Sequence, residues 1–328
     1  MAGISVTDVY DSLLSTTLRN YSRTLRDNIF KKFPFLNWLT SKGRVQYEDG
    51  GTYIVEHLLY GKNTTVKAYA DYEALDTTPQ EGITIAQYNW REYGGTIAIS
   101  RAEKRKNSGK HRLLGLLDAK TKQAELSIRD KITTDLFANI SSTPSKAVDG
   151  IFLHASNSPS TTTLGGVSGV TYTWWRNQSQ SVGAYSNNLE SYLRTLFNSC
   201  SAGGADFPDG ILCSQTAYEY YESLGTEGKR FVNEQKSMDL GFTVLTYKGA
   251  DMFWDGGMAS DVPSTGESIV LLNSEAIRLV IDKESDFVTT DFIEPDNQTA
   301  YVAKILAMLN LCTNNRRKLG LLYGISAS

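Results

Sequence analysis

KHRLLGLLDAKTKQAELSIRDKITTDLFANI, residues 110–140, is the longest regular pattern in the chain. Leu113, Leu117, Ala124, Ile128, Ile132, Leu136 and Ile140 recur three or four residues apart and form one helical stripe. Asn107 or Ser108 can cap its start, and Ser141-Ser-Thr-Pro144 ends it. At about 1.5 Å per residue the helix spans about 45 Å. That is longer than a usual globular helix, and the other elements are read outward from it.

On the N-terminal side, residues 51–60 and 82–100 alternate as strands. In the first, Tyr53, Val55 and Leu59 alternate with Ile54, Glu56 and Leu58. In the second, Ile83, Ile85, Tyr88 and Trp90 precede a break at Gly94-Gly95, and Ile97 and Ile99 follow it. Residues 61–81 are rich in Asn, Thr, Asp and Gly, so the whole reads as a two-stranded ribbon with an extended tip. Both of its faces are partly apolar, and an isolated ribbon is marginal in water. It must lie on the chain's own core or on another subunit. Further upstream, Tyr10, Leu13, Leu14, Leu18, Tyr21, Leu25 and Ile29 predict a helix over 7–30, capped by Thr7 and ended before Pro34. An aromatic knot, Phe33 to Leu39, follows and closes at Lys42-Gly43.

On the C-terminal side, residues 145–186 read as irregular. A helix is expected over 188–201, with Gly203-Gly204 at its C-terminal end. A buried strand, Gly210–Cys213, leads to a helix capped by Ser214 that carries Tyr218 and Tyr221. Strands are expected at 242–247, 268–272, 276–281, 299–312 and 319–324. Gly210 to Ile281 reads as one compact lobe, with the C-terminal strand pair returning to the first half of the chain.

The 328 residues are 41% hydrophobic and 21% charged, with a mean hydropathy of -0.30, a composition that buries a core. No apolar run approaches the roughly 20 residues of a membrane span, and Met1 to Tyr10 lacks a signal-peptide layout. Cys200, Cys213 and Cys312 lack metal-ligand or disulfide spacing and read as small core residues. The net charge of -3 conceals basic clusters at Arg19–Arg44, Arg101–Arg112 and Arg316-Arg317-Lys318. Such clusters are ordinarily solvated faces; they can also meet phosphates or acidic patches on a neighbouring molecule.

A reaction is not written in the sequence. His57, His111 and His154 fit no metal-ligand spacing, and no G-x-S-x-G elbow is present. Gly225-Thr-Glu-Gly-Lys229 lacks P-loop spacing, and Gly165-Gly166 does not open a helix. Asp251 and Asp255 read as turn residues flanking a strand edge rather than as paired catalytic carboxylates. No cofactor or metal is expected. Aromatics make up 11% of the chain, many in segments unlike core helix, such as the ribbon, Trp174-Trp175 and Tyr218 to Tyr221. They suit protein–protein contacts, with an aromatic-rich core as the competing reading.

The order of these segments resembles the major capsid proteins of tailed phages, with their Hong Kong 97-like fold. The resemblance is carried by Asn37-Trp-Leu-Thr-Ser-Lys-Gly43, Leu164-Gly-Gly166 leading to Trp175-Arg-Asn177, Tyr247-Lys-Gly-Ala-Asp-Met-Phe-Trp254 and Asn315-Arg-Arg-Lys-Leu-Gly320. No one string is specific; their order over nearly the whole chain is. The resemblance implies an α+β fold with an N-terminal arm (1–46), an extended two-stranded loop (47–95), a long spine helix with a peripheral domain (96–184), an apical domain (185–285) and C-terminal strands completing the peripheral domain (286–328). It also implies a structural, non-enzymatic subunit forming hexamers and pentamers of an icosahedral shell in the virion, assembled in the host cytoplasm. Expected partners are scaffolding, portal and head-completion proteins and packaged double-stranded DNA held by non-specific contact, with no membrane. No long acidic or coiled-coil leader precedes the arm, so scaffolding is expected from a separate protein. Candidate inter-subunit contacts are Arg19, Arg23, Arg26, Trp38, Tyr53, Tyr60, Tyr69, Tyr72, Tyr88 and Trp90. The alternatives are an encapsulin-like cellular shell and a soluble α+β enzyme with an unrecognised site.

Overall fold

A computed structural model describes residues 33–106, 110–138, 146–201, 203–204, 206–224, 245–258, 262–295 and 299–327. The helix expected at 7–30 and the caps at Asn107 and Ser108 lie outside them. The long helix is present as α3 (Lys110–Ala138), preceded by α2 (Arg101–Lys106). Ala124, Ile128, Ile132 and Leu136 of its stripe are buried, together with Phe137.

Two sheets carry the body. The first holds β1 (Val45–Glu48), β12 (Ile277–Asp282), β14 (Ala300–Thr313) and β13 (Val288–Thr289) in that order, and β4 (Arg91–Ser100) also pairs with β14. The β4–β14 ladder is antiparallel from Arg91↔Leu309 to Ser100↔Ala300. The second runs β7 (Gln178–Ala184), β15 (Gly320–Ser326), β11 (Glu267–Leu272), β8 (Gly210–Cys213), β10 (Ala250–Trp254) and β9 (Leu245–Tyr247). One apolar cluster joins the two sheets to α3. It contains Leu212, Phe253 and Val270 of the second sheet, Leu279, Ile305 and Leu311 of the first, and Ile128 and Ile132 of α3. A separate cluster packs α5 (Tyr185–Cys200) and α6 (Gln215–Leu224) on the second sheet through Leu189, Leu193, Phe197 and Ala217.

Several sequence expectations change here. The strand expected over 82–100 is two strands, β3 (Ile83–Tyr88) and β4, and only β3 belongs to the ribbon with β2 (Ile54–Leu59). Gly94-Gly95 does not break β4. A Cβ at Gly95 would lie 2.8 Å from Ile128 Cδ1, so the glycine lets α3 approach the strand. The aromatic knot is a helix, α1 (Pro34–Ser41), with proline at its first position where no N–H is needed. It lacks a cap of its own; the Phe35 N–H donates to Asp255 Oδ2 (3.2 Å) from 220 residues away. Residues 145–186 contain the short α4 (Ile151–His154), a hairpin of β5 (Thr163–Leu164) and β6 (Val167–Ser168), and the strand β7.

The expected lobe at 210–281 is divided, because β11 and β12 are consecutive but enter different sheets. Asp251 lies within β10, which corrects its reading as a turn residue, whereas Asp255 opens the turn just past the end of β10; both are buried. The C-terminal strands also part, β14 to the first sheet and β15 to the second. Between them Arg316, expected on a solvated basic face, is fully buried. Its guanidinium donates to the carbonyls of His154 (2.8 Å) and Leu153 (3.0 Å) and to Asn177 Oδ1 (3.2 Å). Those carbonyls end α4, and a cation there suits both the unpaired acceptors and the helix dipole.

Candidate functional site

The β2–β3 ribbon has two unlike faces because side chains alternate along each strand. Ile54, Leu58, Ala86 and Tyr88 pack inward against Leu164, Val167 and Trp175 and against Val280 and Cys312 of the first sheet. The Tyr88 hydroxyl donates to the Thr313 carbonyl (2.8 Å), and the Gln87 N–H donates to the Gly165 carbonyl (2.9 Å). Val55, Leu59, Ile83 and Ile85 share the opposite face with His57 and Gln87 and stand in solvent; Leu59 is 80% exposed and Ile83 72%. Contiguous aliphatic surface of this kind marks an interaction site.

Beyond the Tyr60 and Gly61 hydrogen bonds to Gly82, residues 62–81 form an extended tip. Nearly every residue in it is exposed, among them Val66, Tyr69, Tyr72 and Leu75. A second apolar surface lies on the first sheet. Leu306 of β14 is exposed beside Val288 of β13, and Ile293, bridged to Val302, is exposed with them. Sequence reading missed this surface. Its signal was in β14, which is apolar at both parities and therefore offers apolar side chains to both faces of the sheet.

The ten candidate contact residues fall into four groups. Tyr53, Tyr69 and Tyr72 are exposed on the ribbon and its tip. Tyr60 is partly exposed but stacks on Trp174 of its own chain (5.2 Å, 13°), and Trp90 donates its indole N–H to the Gly51 carbonyl (2.9 Å). Trp38 and Tyr88 are enclosed by their own subunit and have no surface to offer a neighbour, which corrects their assignment as contacts. Trp38 packs on Phe253, and Tyr88 is tied to β14. Arg19, Arg23 and Arg26 lie outside the described residues.

Among the described residues no group of three His, Cys, Asp or Glu side chains is placed to hold a metal. His57 is exposed on the ribbon, whereas His154 is buried against the Tyr88 ring (6.2 Å). Burial and the neighbouring Arg316 push the His154 imidazole down to about 3, so it is neutral at physiological pH. All three cysteines are free and buried, and burial raises the Cys200 thiol to about 12, far from the range of a nucleophile. Two open grooves flank α3. One of about 410 Å³ lies over Gly94 and Gly95, and one of about 780 Å³ lies beside Trp254 and Asp255. Neither is an enclosed chamber.

No protein-family model matches the sequence, and no curated protein matches it. Solved structures do match. The chain is similar to the Cyanophage A-1(L) capsid asymmetric unit at 15% identity, covering 90% of this chain and 93% of that one with a TM-score of 0.66. It is also similar to the capsid of Myoviridae phage XM1 (13% identity, 87% and 90% covered, TM-score 0.53). The SrpI encapsulin of Synechococcus elongatus PCC 7942 matches too (10% identity, 89% and 88% covered, TM-score 0.56). At these identities the likeness is one of fold. The chain is a mixed α and β protein with the fold of tailed-phage major capsid proteins.

Proposed function

We propose that this chain is the shell-building subunit of a tailed double-stranded DNA phage, forming the hexamers and pentamers of an icosahedral capsid. One observation carries the reading: a ribbon with a water-exposed, largely aliphatic face and a long exposed tip, on a body that has its own core. A monomer gains nothing from such a surface, whereas a repeated contact buries it. The exposed face of the first sheet, around Val288, Ile293 and Leu306, is the receiving surface we assign on a second copy. A ribbon on one copy and a sheet on the next make a head-to-tail contact, which closes into rings when the rotation allows. In this reading residues 1–46 are the arm, 47–95 the extended loop, 96–184 the spine helix with peripheral strands, 185–285 the apical region and 286–328 the closing strands. Tyr53, Tyr69 and Tyr72 are the interface aromatics. Scaffolding, portal and head-completion proteins and non-specifically held DNA are the partners, in the virion after assembly in the host cytoplasm. Structural work alone is assigned to the chain, and no catalysis.

The test is electron microscopy of the chain expressed alone and with its genomic neighbours. Closed shells or capsomer rings are expected, and a compact monomer under both conditions overturns the reading. The likeness to an encapsulin favours a second reading, a cellular shell. Shells that incorporate a portal ring support the phage assignment, and shells that enclose a specific host protein without a portal support the other.

A further inference from the structure

Glu56 is the exception on the ribbon's buried face. Ile54 and Leu58 flank it, Ala86 opposes it, and the residue is only 7% exposed. An aliphatic side chain would satisfy the position. The acid is held by Arg278 of β12, whose Nε donates to Glu56 and whose Nη1 donates to Gln46, with Nη2 3.4 Å from Glu48. Arg44, Glu275 and Asn314 complete a small polar cavity of about 110 Å³ around the pair. The root of the ribbon, by contrast, is fixed without charge through Tyr88 and Gln87.

We propose that the Glu56–Arg278 pair is a release element. It adds a partnered charge to an otherwise apolar seat of the ribbon on the first sheet, so loss of the partner alone drives the middle of the ribbon from that seat while both main sheets stay folded. Breaking a buried pair by removing one partner is far more costly than replacing the pair with apolar groups. Loss of Arg278 strands a carboxylate on the apolar face, whereas loss of Glu56 leaves Arg278 on the rim, where it reaches water.

The pH dependence follows from the same geometry. Burial outweighs Arg278 and leaves the Glu56 carboxyl above its ordinary range. An unseated Glu56 titrates in water at the ordinary value, so the seated state takes up its proton first as pH falls. Acid therefore tightens the seat. The other titratable groups facing Glu56 are Arg44 and Glu48 at β1, Glu275 and Arg278 at β12, and Cys312, Tyr88 and His57 on β14, β3 and β2. His57 is the one histidine among these groups, so an H57Q background isolates Glu56.

The experiment is hydrogen exchange by mass spectrometry on the full-length chain, corrected for intrinsic rates. It compares ribbon peptides spanning 54–60 and 83–87 with the β14 peptide 300–313. In R278M at pH 7.5 ribbon protection falls about a hundredfold and recovers at pH 4.5, while β14 is unchanged. In E56M the ribbon is at least as protected as in the native chain and loses its pH dependence. The proposal is overturned if R278M retains native ribbon protection, if β14 loses protection together with the ribbon, or if acid loosens the ribbon in H57Q. None of these readouts depends on shell formation.

Discussion

The ring of Trp38 lies directly on Gly210, where an added Cβ would sit 2.4 Å from the ring atom Cζ2. The glycine is therefore a contact surface for α1, and Lys42 at the end of that helix is anchored by Asp209 (3.3 Å) and Asp251 (3.7 Å). G210A forces the indole out of a close-packed site at a cost of about 1–3 kcal/mol, read as a lower urea midpoint with the slope unchanged. An unchanged midpoint would show that the ring relocates freely. Trp38 and Tyr88 also mark a limit of sequence reading. An aromatic in a short segment serves a core or an interface equally well, and composition does not separate the two. Only the packing of Trp38 on Phe253 and of Tyr88 beneath the ribbon makes them core.

Among the elements, α1 and the ribbon show opposite dependencies. Eight residues cannot hold a helix in water, and α1 persists because Phe35, Leu36, Trp38 and Leu39 are buried and Asp255 caps it from a distant turn. D255A removes that acceptor and lowers stability by about 1 kcal/mol, whereas D255N, which keeps a carbonyl oxygen, costs less; thermal melts of the two variants check the order. The outer face of the ribbon does nothing for the isolated subunit. In L59K/I83E the new side chains oppose each other across the strands, so the fold should hold within about 0.5 kcal/mol. Assembly is expected to fail in the same variant, as judged by sedimentation and microscopy. A destabilised monomer would show instead that this face is part of the core.

The whole molecule responds to acid through His154. The native state keeps it neutral down to about pH 3, while the unfolded chain protonates it near the ordinary value of about 6.5. Its contribution is therefore intact above pH 6.5 and is lost as pH falls toward 3, at up to about 1.4 kcal/mol per pH unit. Glu56 and Asp255, both raised by burial, act in the opposite sense at lower pH. H154F flattens the decline between pH 6.5 and 4.5 in urea titrations. Replacing residues 62–81 with an Asn-Gly turn between Gly61 and Gly82 leaves both sheets folded by circular dichroism and removes ring formation if the extended tip is the contact.

The sequence by itself determined α3, the ribbon, the buried β8, the Ser214-led helix and the two C-terminal strands, because side-chain periodicity and apolar runs report burial locally. Only the tertiary structure decided which strand joined which sheet. The division of 82–100 into β3 and β4, the separation of β11 from β12 and of β14 from β15, and the remote capping of α1 each join residues far apart in the chain. Strand pairing draws its free energy from a partner surface that a local pattern does not contain, so an apolar strand is legible long before its neighbour is.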